Sequence, residues 1–215
     1  MTLLSPEVRI GARALFLLAW TALAACSSTM APVSPLRPAG MAMDETQKIG
    51  LDHKNGANAA MVRAFYGVPI LQKSLVWDGN GEDDDYGAGV AAFRFVSDGV
   101  MLGMGVNGSV WMEPGHDVYA AEWEGLLRYY PAAEGMFFVD LGGGWVQGTE
   151  AVPSGGTDWN MSFQLGPGYE IPVSKGASVL LGASYHHTSN ALGPQNDRNP
   201  SQNEIRFWVG WAFNF

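Results

Sequence analysis

From residue 61 to the end of the chain the sequence is patterned with a period of two, and this alternation limits its fold more than any other feature. In 157–171 the odd positions are Trp159, Met161, Phe163, Leu165, Pro167, Tyr169 and Ile171, while the even positions are Asp158, Asn160, Ser162, Gln164, Gly166, Gly168 and Glu170. In 118–130, Tyr119, Ala121, Trp123, Leu127 and Tyr129 alternate with Glu122, Glu124 and Arg128. In 203–215, Phe207, Val209, Trp211, Phe213 and Phe215 alternate with Glu204, Arg206 and Asn214. Successive strand residues point to opposite faces, so each stretch makes a strand with one apolar face and one small or polar face. No window after residue 60 sustains the 3.6-residue stripe of an amphipathic helix.

A soluble sandwich and a membrane barrel both alternate, with opposite sides turned to the core. Three features favour the barrel. The alternating segments run to roughly 11–15 residues, long for a soluble sheet and suited to a tilted membrane span. The second face is rich in Gly and in charges of both signs, as a narrow filled lumen requires. The chain closes on an aromatic residue after an alternating strand, as outer-membrane barrels do. Charged residues are 15% of the chain, and the mean hydropathy of +0.00 excludes a bundle of membrane helices. A net charge of -9 argues against a nucleic-acid partner, since phosphate contacts need a basic face. The one Cys excludes a disulfide framework and a Cys-built zinc site.

The reading is therefore all-β: an eight-stranded antiparallel transmembrane β-barrel of the outer membrane, with strands at 61–77, 85–96, 100–112, 117–130, 136–148, 157–171, 176–190 and 203–215. The links at 97–99, 131–135 and 172–176 are short; those at 78–85, 149–156 and 191–202 are longer, and 113–116 is a short exception. This places both termini in the periplasm and the longer loops outside. Eight strands leave an interior filled by side chains. The charges Glu122, Glu124, Arg128, Asp140, Glu170, Glu204 and Arg206 are read as an ion-pair network inside it, and His186 as a lumen or rim residue.

Ahead of the barrel, Arg9 and Arg13 precede the apolar run Ala14 to Ala25, which is too short for a membrane helix. Leu23-Ala24-Ala25-Cys26-Ser27 has the form of a lipoprotein cleavage box, so residues 1–25 are read as an export signal and Cys26 as the lipidated first residue. Residues 26–60 are read as a periplasmic tether with a short helix near 44–51.

The strand 176–190 carries the chemistry. Its apolar face runs through Ala177, Val179, Leu181, Ala183 and Tyr185, and ends in His187 and Ser189. A polar pair on a lipid-facing wall is unfavourable for stability alone, which marks it as a functional candidate. A hydroxyl activated by an imidazole suits ester hydrolysis. Asn190 is adjacent as an oxyanion donor, and Asn203 or Glu204, across the last hairpin, is placed to orient the ring.

The run His187-Thr188-Ser189-Asn190-Ala191, followed by Asn199-Pro200 and the final strand, resembles the outer-membrane lipid A 3-O-deacylases, the PagL family, which is acyloxyacyl hydrolase-like. The resemblance in motif covers residues 185–215 and elsewhere rests on architecture alone. It implies a lipid A deacylase that removes an ester-linked 3-hydroxyacyl chain without metal or cofactor, with Ser189 as nucleophile, His187 as base, and Asn190 and Asn199 at the oxyanion. Its partner is lipopolysaccharide in the outer leaflet, and a homodimer is compatible with it. The family's acidic residue, four positions after the loop asparagine, aligns with Asn203, an amide; Ser201 stands where the family has glycine. Glu204 is acidic but reaches the outer face only if a bulge reverses the pleat. The alternative is a non-catalytic barrel with a structural, adhesive or lipid-packing role. The run Glu82-Asp83-Asp84-Asp85 is read as a solvated loop in preference to a cation site, and His53 and His116 carry no readable signal.

Overall fold

The computed structural model describes residues 49–70, 79, 81–192 and 199–215. The signal at 1–25, Cys26, and the tether as far as residue 48 lie outside the described residues, as do 71–78 and 193–198 in the links after the first and seventh strands.

The strands are β1 (Asn58–Pro69), β2 (Asp84–Ser97), β3 (Val100–Glu113), β4 (His116–Tyr129), β5 (Phe137–Gly148), β6 (Trp159–Ser174), β7 (Ala177–Ser189) and β8 (Gln202–Asn214). Each pairs antiparallel with its chain neighbours, and β1 pairs with β8, which closes the barrel. Closure is what lets such a sheet sit in lipid, because no edge is left with unpaired amides. The strand limits differ from the sequence expectation by a few residues; β1 begins at Asn58 because its first residues pair with Arg94, Phe93 and Ala92 of β2.

The alternation is inverted relative to a soluble sheet. Val62, Val90, Met104, Tyr119, Trp123, Trp145, Leu165, Trp211 and Phe213 are exposed on the outer wall, while Arg63, Arg128, Glu122, Glu124 and Arg206 are buried inside. An outer face of this size and apolarity is satisfied by hydrocarbon and not by water. The chain is thus a transmembrane barrel of the bacterial outer membrane.

The interior is layered, with a second apolar cluster of Trp111, Val118, Ala120, Val146 and Val152 apart from the main one. At the end that holds the start of β1 and the end of β8, Met61, Phe65, Phe93, Phe95, Met101, Phe138, Leu180 and Trp208 form an apolar cluster. The Arg128 guanidinium lies 4.0 Å from the Phe138 ring centroid and is held by Asp140 through Nε (2.7 Å) and Nη2 (2.9 Å). Above this lies a polar layer. Arg206 meets Asp85 (2.9 Å), Glu122 (3.2 Å) and Glu204 (2.9 Å), and Arg63 pairs with Glu124. His186 stands between Glu122 (3.2 Å from Nε2) and Glu204 (2.8 Å from Nδ1).

The last part of the expected tether is not a tether. Residues 49–51 form no helix; Gly50 instead bridges to Lys175. Leu51 and His53 are buried at the barrel mouth. Glu170 anchors the segment: it accepts from the Leu51 amide (3.1 Å), His53 Nε2 (2.9 Å), Tyr130 Oη (2.8 Å) and Ser178 Oγ (2.6 Å). The His53 ring stacks on Tyr130 at 4.0 Å. A buried carboxylate needs this many donors to offset its desolvation. Burial, with the Glu170 carboxylate beside it, pushes the Tyr130 phenol above its ordinary range.

Candidate functional site

The candidate residues gather at the other end of the barrel, on β7 and β8. The register between these strands is unbroken: Thr188 faces Gln202, His187 faces Asn203 and His186 faces Glu204. No bulge therefore reverses the pleat, and the two possible ring-orienting residues fall on opposite sides of the wall. Asn203 lies outside with His187; its Oδ1 accepts a hydrogen bond from His187 Nδ1 at 2.7 Å. Glu204, the rival that needed a bulge, stays in the lumen, with its carboxylate committed to His186, Arg206 and Gln202 Nε2. The physical reason is the intact alternation of a regular strand.

Ser189 follows His187 by two residues on the same outer face, opposite Met161 of β6, as His187 is opposite Phe163. The site is less open than a pair set on a bare lipid-facing wall. His187 is 6% exposed and Asn203 is fully buried, while Ser189 is half-buried. Gly79, from the link between β1 and β2, lies against Asn203, so that a Cβ on it would come within 2.7 Å of Asn203 Nδ2.

Asn190 and Asn199 are brought together. The Asn190 amide donates to Asn199 Oδ1 at 3.2 Å. The Asn190 side chain donates through Nδ2 to Thr157 Oγ1 (3.0 Å) and accepts at Oδ1 from the Leu192 amide (3.1 Å). These bonds tie the β7–β8 link to the β5–β6 link, a structural part that the sequence reading did not assign to Asn190. Ala191 takes a φ of 59°, a turn conformation that follows directly on this anchor.

Two neighbours were missed at the sequence level. The Tyr185 hydroxyl donates to the same Asn203 Oδ1, at 2.5 Å. Tyr185 precedes His187 by two positions and shares its face, a signal that was present in the alternation. Thr157, which receives Asn190, was read as the start of the sixth strand; it lies instead in the link just before β6.

Asp83 fastens the outer loops. Its backbone exchanges hydrogen bonds with the Gln202 side chain (3.1 and 2.7 Å), and its Oδ2 accepts from the Ser154 amide at 2.9 Å. Burial pushes the Asp83 carboxyl above its ordinary range, against the opposing bond from Ser154 and with help from the charges of Asp84 and Glu82. Among the described residues no group of three or more His, Cys, Asp or Glu is arranged to hold a metal ion.

No protein-family model matches the chain, and no curated protein matches its sequence. Solved structures resemble it. Neisserial surface protein A is 11% identical, with 75% of this chain and all of that chain covered at a TM-score of 0.48. The outer membrane enzyme PagL is 15% identical, with 71% and 98% covered at 0.46. The outer membrane protein OprG from Pseudomonas aeruginosa is 14% identical, with 77% and 99% covered at 0.43. These likenesses concern the barrel and bear neither on activity nor on the site.

Proposed function

We propose that the chain is a lipid ester hydrolase of the outer leaflet, and that its substrate is lipid A, from which it removes an ester-linked 3-hydroxyacyl chain. The observation that carries this reading is the hydrogen bond from His187 Nδ1 to Asn203 Oδ1, with Ser189 two residues along on the same face. An imidazole that donates from Nδ1 to an oxygen keeps its lone pair on Nε2, the state a general base needs.

In this mechanism Ser189 Oγ attacks the ester carbonyl while His187 Nε2 takes the hydroxyl proton. The tetrahedral oxyanion collapses, the C–O bond to the sugar breaks, and His187 returns the proton to the sugar alkoxide. Water then attacks the acyl-enzyme, giving its proton to His187. Collapse of the second tetrahedral intermediate frees the 3-hydroxy acid, and the proton returns to Ser189. Asn190 and Asn199 are the candidates for oxyanion stabilisation, with the Asn190 amide having to leave Asn199 Oδ1 to take that part.

A second reading, a non-catalytic barrel, is favoured by a specific feature: an amide stands where a carboxylate would stabilise the imidazolium more strongly. Purified barrel in detergent, incubated with lipid A and followed by mass spectrometry, separates the two. Loss of one hydroxyacyl chain with wild type, and none with Ser189→Ala in a barrel that keeps its heat-modifiable migration, supports the hydrolase. Identical lipid patterns from both proteins support the second reading.

A further inference from the structure

We propose that Tyr185 is a positioning residue that sets the protonation pattern of His187 through the orientation of the Asn203 amide. The inference deepens the hydrolase reading and rests on it only for its kinetic arm.

A carboxylate in the orienting position presents oxygen to the ring whichever way it turns. An amide does not. With Oδ1 toward β7, Asn203 accepts from His187 Nδ1, and Nε2 is left as a base. With the amide reversed, Nδ2 would donate to Nδ1, the ring proton would move to Nε2, and Ser189 would face an N–H where it needs a lone pair. A chain with Asn203 therefore needs something that chooses between the two orientations, a requirement absent for an acid.

The Tyr185 hydroxyl lies 2.5 Å from Asn203 Oδ1, the same atom that receives His187 at 2.7 Å. A phenol is a better donor than acceptor, because its lone pairs are drawn into the ring. It therefore favours an oxygen over an NH2 group at that place. The other end of the amide, Nδ2, is turned toward Gly79. Two donors on one oxygen hold the amide in the orientation that keeps Nε2 unprotonated. In this scheme Tyr185 acts through Asn203.

The test uses the full barrel in micelles, labelled with 15N-histidine, and two substitutions, Tyr185→Phe and Asn203→Asp, alone and together. The His187 signals are assigned by their loss in His187→Gln, and long-range 15N–1H correlations report which ring nitrogen carries the proton. Wild type should show the Nδ1–H form at a pH where the ring is neutral. Tyr185→Phe should populate the Nε2–H form, because the roughly fivefold preference that one net hydrogen bond supports is removed. With lipid A, Tyr185→Phe should lower kcat by about fivefold at unchanged KM, and the same change in the Asn203→Asp background should lower it by less than about twofold. Equal losses in both backgrounds, or an unchanged tautomer in Tyr185→Phe, would overturn the proposal and leave Tyr185 a packing residue. A tautomer shift in a barrel that hydrolyses no lipid upholds the positioning role and removes the hydrolase reading. Hydrolysis abolished by Ser189→Ala, with an unchanged tautomer in Tyr185→Phe, does the reverse.

Discussion

His187 and Asn203 stand directly opposite each other on β7 and β8, joined on the outer wall by a 2.7 Å hydrogen bond from Nδ1 to Oδ1. Each is followed or preceded by a residue of the lumen, so the same pair of strands carries two unlike polar systems. The outer one holds Tyr185, His187 and Asn203; the inner one holds His186, Glu204 and Arg206. A sheet one residue thick separates them, and only the pleat decides which system a side chain joins.

That separation makes the orienting position open to repair. Asn203→Asp keeps the shape, presents oxygen to His187 in either orientation and places a negative charge beside the imidazolium formed during attack. The expected outcome is a kcat for lipid A deacylation raised by about tenfold or more, a modest part of the ~10⁴ change known for an Asp-to-Asn exchange in a serine protease triad. Glu204→Gln, on the lumen side, should not reproduce the gain. Steady-state release of hydroxy acid by both variants, with folding checked by heat-modifiable migration, measures this.

The lumen depends on its cations. Arg206 is buried against Asp85, Glu122 and Glu204, and its removal leaves three carboxylates facing one another without it. Arg206→Met should destabilise the barrel by about 3–5 kcal/mol, the range for breaking a buried ion pair by deleting one partner. Urea titration in detergent, followed by tryptophan fluorescence, reads the loss. Met at this site keeps the bulk, so a small effect would mean that the network contributes little beyond packing.

At the mouth near the start of β1, His53 links residues 49–57 to Glu170 and to the Ala133 carbonyl (2.8 Å). His53→Ala should free residues 49–57 while leaving the strands in place, since the bonds lost are those of the segment. The expected loss is about 1–3 kcal/mol of local stability. Hydrogen exchange resolved to this segment should accelerate, with exchange in β4 and β5 unchanged. Global acceleration would show that the segment is part of the barrel's own core.

The outer loops should respond to pH through Asp83. Its carboxyl is raised in the folded protein, mainly by burial. A raised folded value means that ionisation costs more in the folded state than in the unfolded one. The penalty is absent below the unfolded value, grows as pH rises through it, and is complete above the folded value. Asp83→Asn should therefore stabilise the loops at neutral pH and make little difference in acid. Exchange of the Asp83 and Ser154 amides across pH, in both proteins, gives the comparison; a stabilisation that persists undiminished in acid would exclude burial of charge as the cause.

Much of this protein was legible as text because strand alternation is local. Trp159, Met161 and Phe163 on one side, with Asn160, Ser162 and Gln164 on the other, assign their faces without knowledge of any partner strand. The same rule put His187, Ser189 and Asn203 outside and His186 at the lumen or rim. What alternation does not contain is register, which is set by barrel closure and by how each link spans its ends. The register, continuous from Thr188 to Ala177 of β7 against β8, set Asn203 directly opposite His187 and left no bulge to bring Glu204 outward. Only the tertiary structure turned Tyr185 onto Asn203 and carried Asn190 to Thr157. His53 was silent for the same reason: it lies in an irregular segment, where the face of a residue follows from what the mouth of the barrel offers it. Sidedness is a property of adjacent peptide units, and partnership is a property of the closed sheet.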